Sequence, residues 1–238
     1  MKSLKKTAGV ICALLVTFSA MAQDKSEKSV DSDYLSTVED VVITELANSE
    51  ERDNKLVALQ YLEEAVSNGR TSPDMLRAMD QLAGEGISSQ SRTNGRLMNN
   101  YPDIRAKACK LLGQVGTEEA KQSLIKVALN DNEPMVLSSA IAALGDIGLN
   151  DSDEVVNTIA WANKGNRILN PTSSLASEVI EAFSKLADST ENKKDMINEV
   201  AKIAGDYRYV TPVRQRALEL LKKLQGSGSS SSSTADGK

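Results

Sequence analysis

The sequence predicts an all-α protein, an α-solenoid of about five antiparallel helix pairs, and three observations carry the prediction. Leu, Ala, Ile and Val recur at three- and four-residue spacing from Tyr34 to Leu224, and no stretch alternates as a half-buried strand does. Pro73, Pro102, Pro134, Pro171 and Pro212 each stand at the head of such a run, where the missing N–H leaves no helical bond unmade. Finally, Pro102–Gly116 and Pro134–Gly148 are two copies of one pattern, with Pro, Ala, Leu, Gly and the closing Gly all matching at an offset of 32. The amphipathic stretch Glu118–Leu129 lies between them, so the repeated unit is a helix pair.

Residues 1–22 read as a signal peptide. Lys2, Lys5 and Lys6 precede an apolar run from Ala8 to Phe18, and Ala20-Met21-Ala22 supplies the small residues of a cleavage site. The run is shorter than the roughly 20 residues that cross a bilayer. Cys12 sits in the middle of it, a poor match to a lipidation site. The expected location is therefore outside the cytoplasm, periplasmic if the source has an outer membrane and extracellular otherwise. Without the three lysines the formal charge moves from −5 to −8. Nucleic acid is excluded as a partner, since it requires a concentrated basic face. Residues 23–33 read as a disordered segment, 34–225 as the solenoid, and 226–238 as a Ser/Gly-rich disordered tail that serves as a tether or a simple extension.

Catalytic chemistry is sparse. The absence of histidine removes Ser-His-Asp and Cys-His catalysis and the usual zinc sites. No acidic run has the spacing of a calcium loop. Aromatics make up 3% of the chain, too few for a carbohydrate or base-stacking platform. Cys109 falls on an apolar helical position and reads as a buried, inert thiol. No catalytic residue, metal or cofactor is expected, and the chain reads as a non-enzyme.

The Pro-x-x-x-x-x-Ala-x-x-x-Leu-Gly pattern resembles the second helix of a HEAT repeat. The resemblance extends more weakly to Asp53–Val66, Ser174–Leu186 and Pro212–Leu224, the last opening on Pro212-Val213-Arg214. Five pairs follow, over 34–68, 72–116, 117–148, 152–187 and 191–225. Ser72, Asn170 and Thr211 read as caps before a first-turn proline. Ala58, Ala108, Ala140 and Ala217 are the small residues that let helices approach, and each leucine four later fills the layer. Trp161 reads as core beside Val155, Val156, Ile159 and Ala160.

Compared with the 32-residue unit, three pairs carry extra length in the turn between their helices: Gly84–Asn100, Asn163–Asn170 and Gly205–Thr211. Turns of one type emerge on one edge of a solenoid, so Arg92, Arg96, Tyr101, Arg167, Tyr207, Arg208 and Tyr209 are candidate partner-binding residues on a single rim, facing an acidic or phosphate-bearing surface. The alternative is the groove of second helices, through Lys107, Lys110, Gln114, Glu178, Glu181 and Lys185. The HEAT resemblance implies a scaffold binding another protein in an envelope assembly, without membrane insertion. It also implies a rival reading, a lyase-type or chaperone-like protein acting on a bound ligand or client.

Overall fold

The computed structural model describes residues 30–226, with side chains described from residue 35 onward. The N-terminal apolar run and the serine-rich tail lie outside the described residues. Contacts divide the chain into two units, Met1–Glu39 and Asp40–Lys238, with the boundary inside the first helix. The second unit carries the stacked helices, and the fold is all-α and solenoid-like.

Ten α-helices follow one another among the described residues: α1 (Val30–Asn48), α2 (Arg52–Ser67), α3 (Pro73–Ala83), α4 (Pro102–Val115), α5 (Glu118–Asn130), α6 (Pro134–Ile147), α7 (Glu154–Leu169), α8 (Ser173–Leu186), α9 (Lys194–Gly205) and α10 (Thr211–Gly226). Helix α1 begins at Val30, so residues 30–33 are helical where the composition suggested disorder. Local chemistry sets many of the ends. The hydroxyls of Ser72 and Thr117 accept from the N–H groups of Met75 and Ala120 at 3.1 and 3.3 Å, satisfying donors that have no helical acceptor. Gly116 and Gly148 take left-handed φ of 70° and 72° and return their N–H to Leu112 and Leu144, the stop that glycine permits. Asn170 closes α7 instead of capping α8, and Thr211 is already inside α10.

Second helices α2, α4, α6, α8 and α10 form one layer, each packed on the next. First helices α3, α5, α7 and α9 form the other. A continuous core from Ile43 to Leu224 fills the space between them, with Leu62, Leu112, Leu144 and Phe183 fully buried. Glycine makes room for close approach in the second-helix layer. A Cβ built on Gly113 would lie 2.7 Å from that of Ala143, and one on Gly145 would lie 2.8 Å from the Cα of Ala182. Residues Ala108 and Ala140 are buried as expected, but the Gly of the Leu-Gly step governs the helix spacing.

The turns within pairs share one edge of the second unit and the turns between pairs share the other. On the first edge the Arg105 guanidinium donates to the Asp131 carboxylate at 2.6 Å, the Glu85 carbonyl at 3.2 Å and the Asn100 side chain at 2.9 Å. Further along, the N–H of Val210 donates to Ser173 Oγ at 3.1 Å. On the other edge Asp153 accepts from the N–H groups of Glu191 and Asn192 at 2.9 and 2.7 Å.

Candidate protein-binding surfaces

The largest insertion departs most from the repeat. Within Gly84–Asn100 the chain makes a short antiparallel hairpin, β1 (Arg92–Thr93) and β2 (Arg96–Leu97), with Thr93 opposite Arg96. Asn94 and Gly95 form its turn at φ of 52° and 80°, the geometry that favours Asn-Gly between paired strands. The hairpin hangs on Asn99, whose side chain accepts from Ser91 N at 2.9 Å and donates to Ser89 O at 2.7 Å and Glu85 Oε1 at 2.6 Å. Glu85 in turn pairs with buried Lys55 at 2.9 Å, and Lys55 donates to the Ala47 carbonyl at the end of α1. The polar chain Ala47–Lys55–Glu85–Asn99 thus pins the insertion to the first pair. It forms one wall of a cleft of about 600 Å³ lined by Ser49, Gln81, Gln90, Met98 and Tyr101.

Each residue of the expected rim has a distinct setting. Arg92 is occupied within the hairpin, donating to Gln90 Oε1 at 3.1 and 3.0 Å and to the Gly95 carbonyl at 3.2 Å. Arg96 is exposed on β2. Tyr101 is half-buried, its ring 6.0 Å from the Arg52 guanidinium carbon. The stretch Asn163–Leu169 is not a loop but the last turns of α7. Buried Asn163 donates to Glu199 at 3.0 Å, so a polar residue occupies a core position and the helix runs on. Arg167 follows, 3.8 Å from the same carboxylate. Arg208 is clamped to Asp206 at 2.6–3.1 Å, and that guanidinium holds the Asp206 carboxyl below the usual carboxylate range. Tyr207 is 86% exposed, but Tyr209 is buried in the core, and burial pushes its hydroxyl pKa up. Tyr209 supports the loop from beneath and cannot meet a partner. The expectation for Trp161 is also reversed, since its side chain is 58% exposed on α7.

The second-helix face differs along its length. Its flanks are ion-paired: Lys107 with Glu63 at 2.9 Å, Lys185 with Asp146 at 2.6 Å, and Glu181 with Arg216 at 2.8 Å. The Asp146 carboxylate, by accepting from Lys185, raises the pKa of that amine. Lys110 and Gln114 are exposed on α4, and Glu178 is half-buried on α8. Between these flanks α6 presents Met135, Ser138 and Ala142, spaced to share one face, and no long charged side chain until Asp146. Ser138 Oγ is buried without a hydrogen-bond partner among the described residues.

With this geometry in place, the class is that of stacked helix pairs. Residues 96–176, from β2 to the first turn of α8, match the family model of HEAT repeats. No curated protein matches the chain. Among the described residues no helix is long and apolar enough to cross a membrane.

Proposed function

We propose that this chain is an exported, non-catalytic scaffold that holds another protein against the face of its second helices. One observation carries the choice of face: α6 offers Ser138 and Ala142 as a low strip, with Met135 at its head, between the polar flanks of Lys107, Lys110 and Gln114 on α4 and Glu178, Glu181 and Lys185 on α8. Small residues let a partner's backbone approach closely, while the flanking charges set its register. On the rim Arg92 and Arg208 are engaged within the chain, as Lys107, Glu181 and Lys185 are on the second-helix face, so the charged groups do not decide between the two surfaces and the strip on α6 does. HEAT repeats generally serve as protein-binding scaffolds, and the lack of histidine supports a non-catalytic reading. Export rests on Lys2–Ala22, and is tested by whether a chain starting at Gln23 is recovered outside the cytoplasm. For the face, Ala142→Arg should weaken partner binding at least about tenfold, as a charge inserted at an interface centre does, while Asn198→Arg on α9 leaves it unchanged. Equal affinity for the two variants overturns the assignment.

A further inference from the structure

The two ends of the stack leave open the places that every inner pair buries. In the later first helices the residue just before fully buried Met79, Leu124, Ile159 and Val200 is itself covered: Ala78, Ser123, Thr158 and Glu199. In α1 the same place, before Ile43, holds Val42, which is 42% exposed. The second helices repeat the contrast. Three residues after buried Ala108, Ala140, Val179 and Ala217, the side chains of Leu111, Ala143, Ala182 and Leu220 are buried too, and Ala143 and Ala182 lie against Gly113 and Gly145 of the helix before. Three residues after Ala58 stands Tyr61, 40% exposed. At the far end the converse holds. One residue after the same series, Leu59, Cys109, Ile141 and Ile180 are buried, but Leu218 of α10 is 49% exposed. One turn on, Leu62, Leu112, Leu144 and Phe183 are fully buried, and Leu221 is half-buried. Stacked repeats cover such places with a neighbouring pair, and among the described residues none lies beyond α2 or α10.

The two ends also differ in charge. From Asp40 to Ser67 the chain carries seven carboxylates against two cations, Arg52 and Lys55. Both cations are committed, to Asp103 and Glu85, and Asp40 and Glu63 are paired with Arg70 and Lys107. Glu45, Glu50, Glu51, Asp53 and Glu64 have no ion pair among the described residues. Helix α10 reverses the balance, with Arg214, Arg216, Lys222 and Lys223 against Glu219; of these Arg216 is paired with Glu181. Its neighbour α9 is balanced, Lys194 and Lys202 against Asp195 and Glu199. From these complementary ends we infer that copies of the chain associate head to tail, the first pair of one stacking on the last pair of the next. A second copy is the occupant that fits both ends at once, since each end presents the place that the other buries within the repeat. Contact of like ends would set acid on acid or base on base. The register that lays Ala143 on Gly113 sets Tyr61 of one copy over Lys222 of the next, an aromatic face against a cation. The register that pairs Asp146 with Lys185 holds Glu64 at one end and Lys223 at the other. Such an interface is heterologous, so each added copy leaves an end open to a further one. It lies apart from the protein-binding face on α6 and does not depend on it.

The test is sedimentation velocity of the full chain at rising concentration, up to about 1 mM, the weak end of the affinity scale. The sedimentation coefficient is expected to climb with concentration through species of two copies and more, and to fall back at high salt, as screening requires. Val42→Ser with Tyr61→Ser closes the first end, and Leu218→Glu, which faces an acidic surface, closes the last. Each variant alone should stay monomeric. Mixed in equal amounts they should form a one-to-one dimer and nothing larger, because one open end of each kind remains. All three changes fall on exposed side chains, so an unchanged far-UV melt shows that the variants are folded, and Leu218→Ser replaces the glutamate if that melt moves. Ala142→Arg should leave growth unchanged, which separates this contact from the face on α6. A parent chain that is monomeric throughout overturns the inference. So does self-association that survives in either variant alone, which would mean contact between like ends, or a mixture that stays monomeric.

Discussion

Replacing Gly145 with alanine sets two known effects against each other at one position. Inside a helix the exchange favours the folded state by about 0.5–1 kcal/mol, because glycine loses more backbone freedom on folding. At Gly145 the new Cβ would stand 2.8 Å from the Cα and 2.9 Å from the Cβ of Ala182. The first of these is backbone, so no rotamer change relieves it and α6 and α8 must separate. Overpacking of this kind costs about 1–3 kcal/mol. Separating two second helices also loosens the core beneath them, which favours the upper part of that range. The net expectation is a loss of about 1–2 kcal/mol, or a fall of about 2–8 °C in Tm for a chain of this length. Gly165→Ala is the matched control: it lies in α7 with nothing within 4 Å of the new Cβ, so it should raise Tm by about 1–4 °C. Thermal melting followed by far-UV circular dichroism reads both. A Gly145→Ala protein that melts at or above the parent would refute the claim that Gly-to-Ala contacts set the spacing of the second helices.

Three further outcomes follow from the polar and titratable groups. Asn99→Ala removes three hydrogen bonds that hold the hairpin, leaving Glu85 with one fewer donor. The local loss of about 1–3 kcal/mol should speed tryptic cleavage after Arg92 or Arg96 by one to two orders of magnitude, and an unchanged rate would mean that the insertion is held elsewhere. Burial, helped by the nearby Asp131 carboxylate, pushes the Cys109 thiol up to about 12. It should therefore resist a disulfide reagent at about pH 8 until the chain unfolds, and labelling of the native protein at the rate of a free thiol contradicts this. Arg208 depresses the folded-state pKa of Asp206. Its stabilising contribution is thus complete above the ordinary value of about 3.9 and is lost as pH falls through the lower folded value. The Tyr209 amide resonance should hold its position down to about pH 4, and a shift beginning near neutrality contradicts the clamp.

The repeat was legible because its grammar is local. Proline at a helix head and glycine at a helix end act through their own backbone, so Pro102, Pro134, Gly116 and Gly148 announce their roles without reference to anything distant. What failed were residues whose setting depends on a partner far along the chain. Asn163 looked like a loop residue because it is polar, yet Glu199, 36 residues later, makes it a core residue and extends α7. Trp161 was then misplaced for the same reason: with Ala162 and Asn163 taking the buried positions, the indole falls outside. Tyr209 shares a segment with exposed Tyr207, and composition cannot tell which of two tyrosines turns inward. The hairpin did have a local signal, Asn94-Gly95, which the helical periodicity around it obscured. Lys55 and Arg105 stand as charges on otherwise apolar helix faces, a signal that marks them as paired, but that both reach Glu85, one its carboxylate and the other its carbonyl, needs coordinates.

The central claim is that the second-helix face around α6 meets a partner protein. Photo-crosslinkers placed singly at Ala142, at Ser138 and, for comparison, at Asn198 on α9 address it in intact cells. The account predicts one discrete adduct, shared by the first two positions, missing from the third, and lost when Ala142→Lys is combined with the Ser138 probe. Adducts of equal strength from Asn198, or none from Ala142 and Ser138, would contradict it.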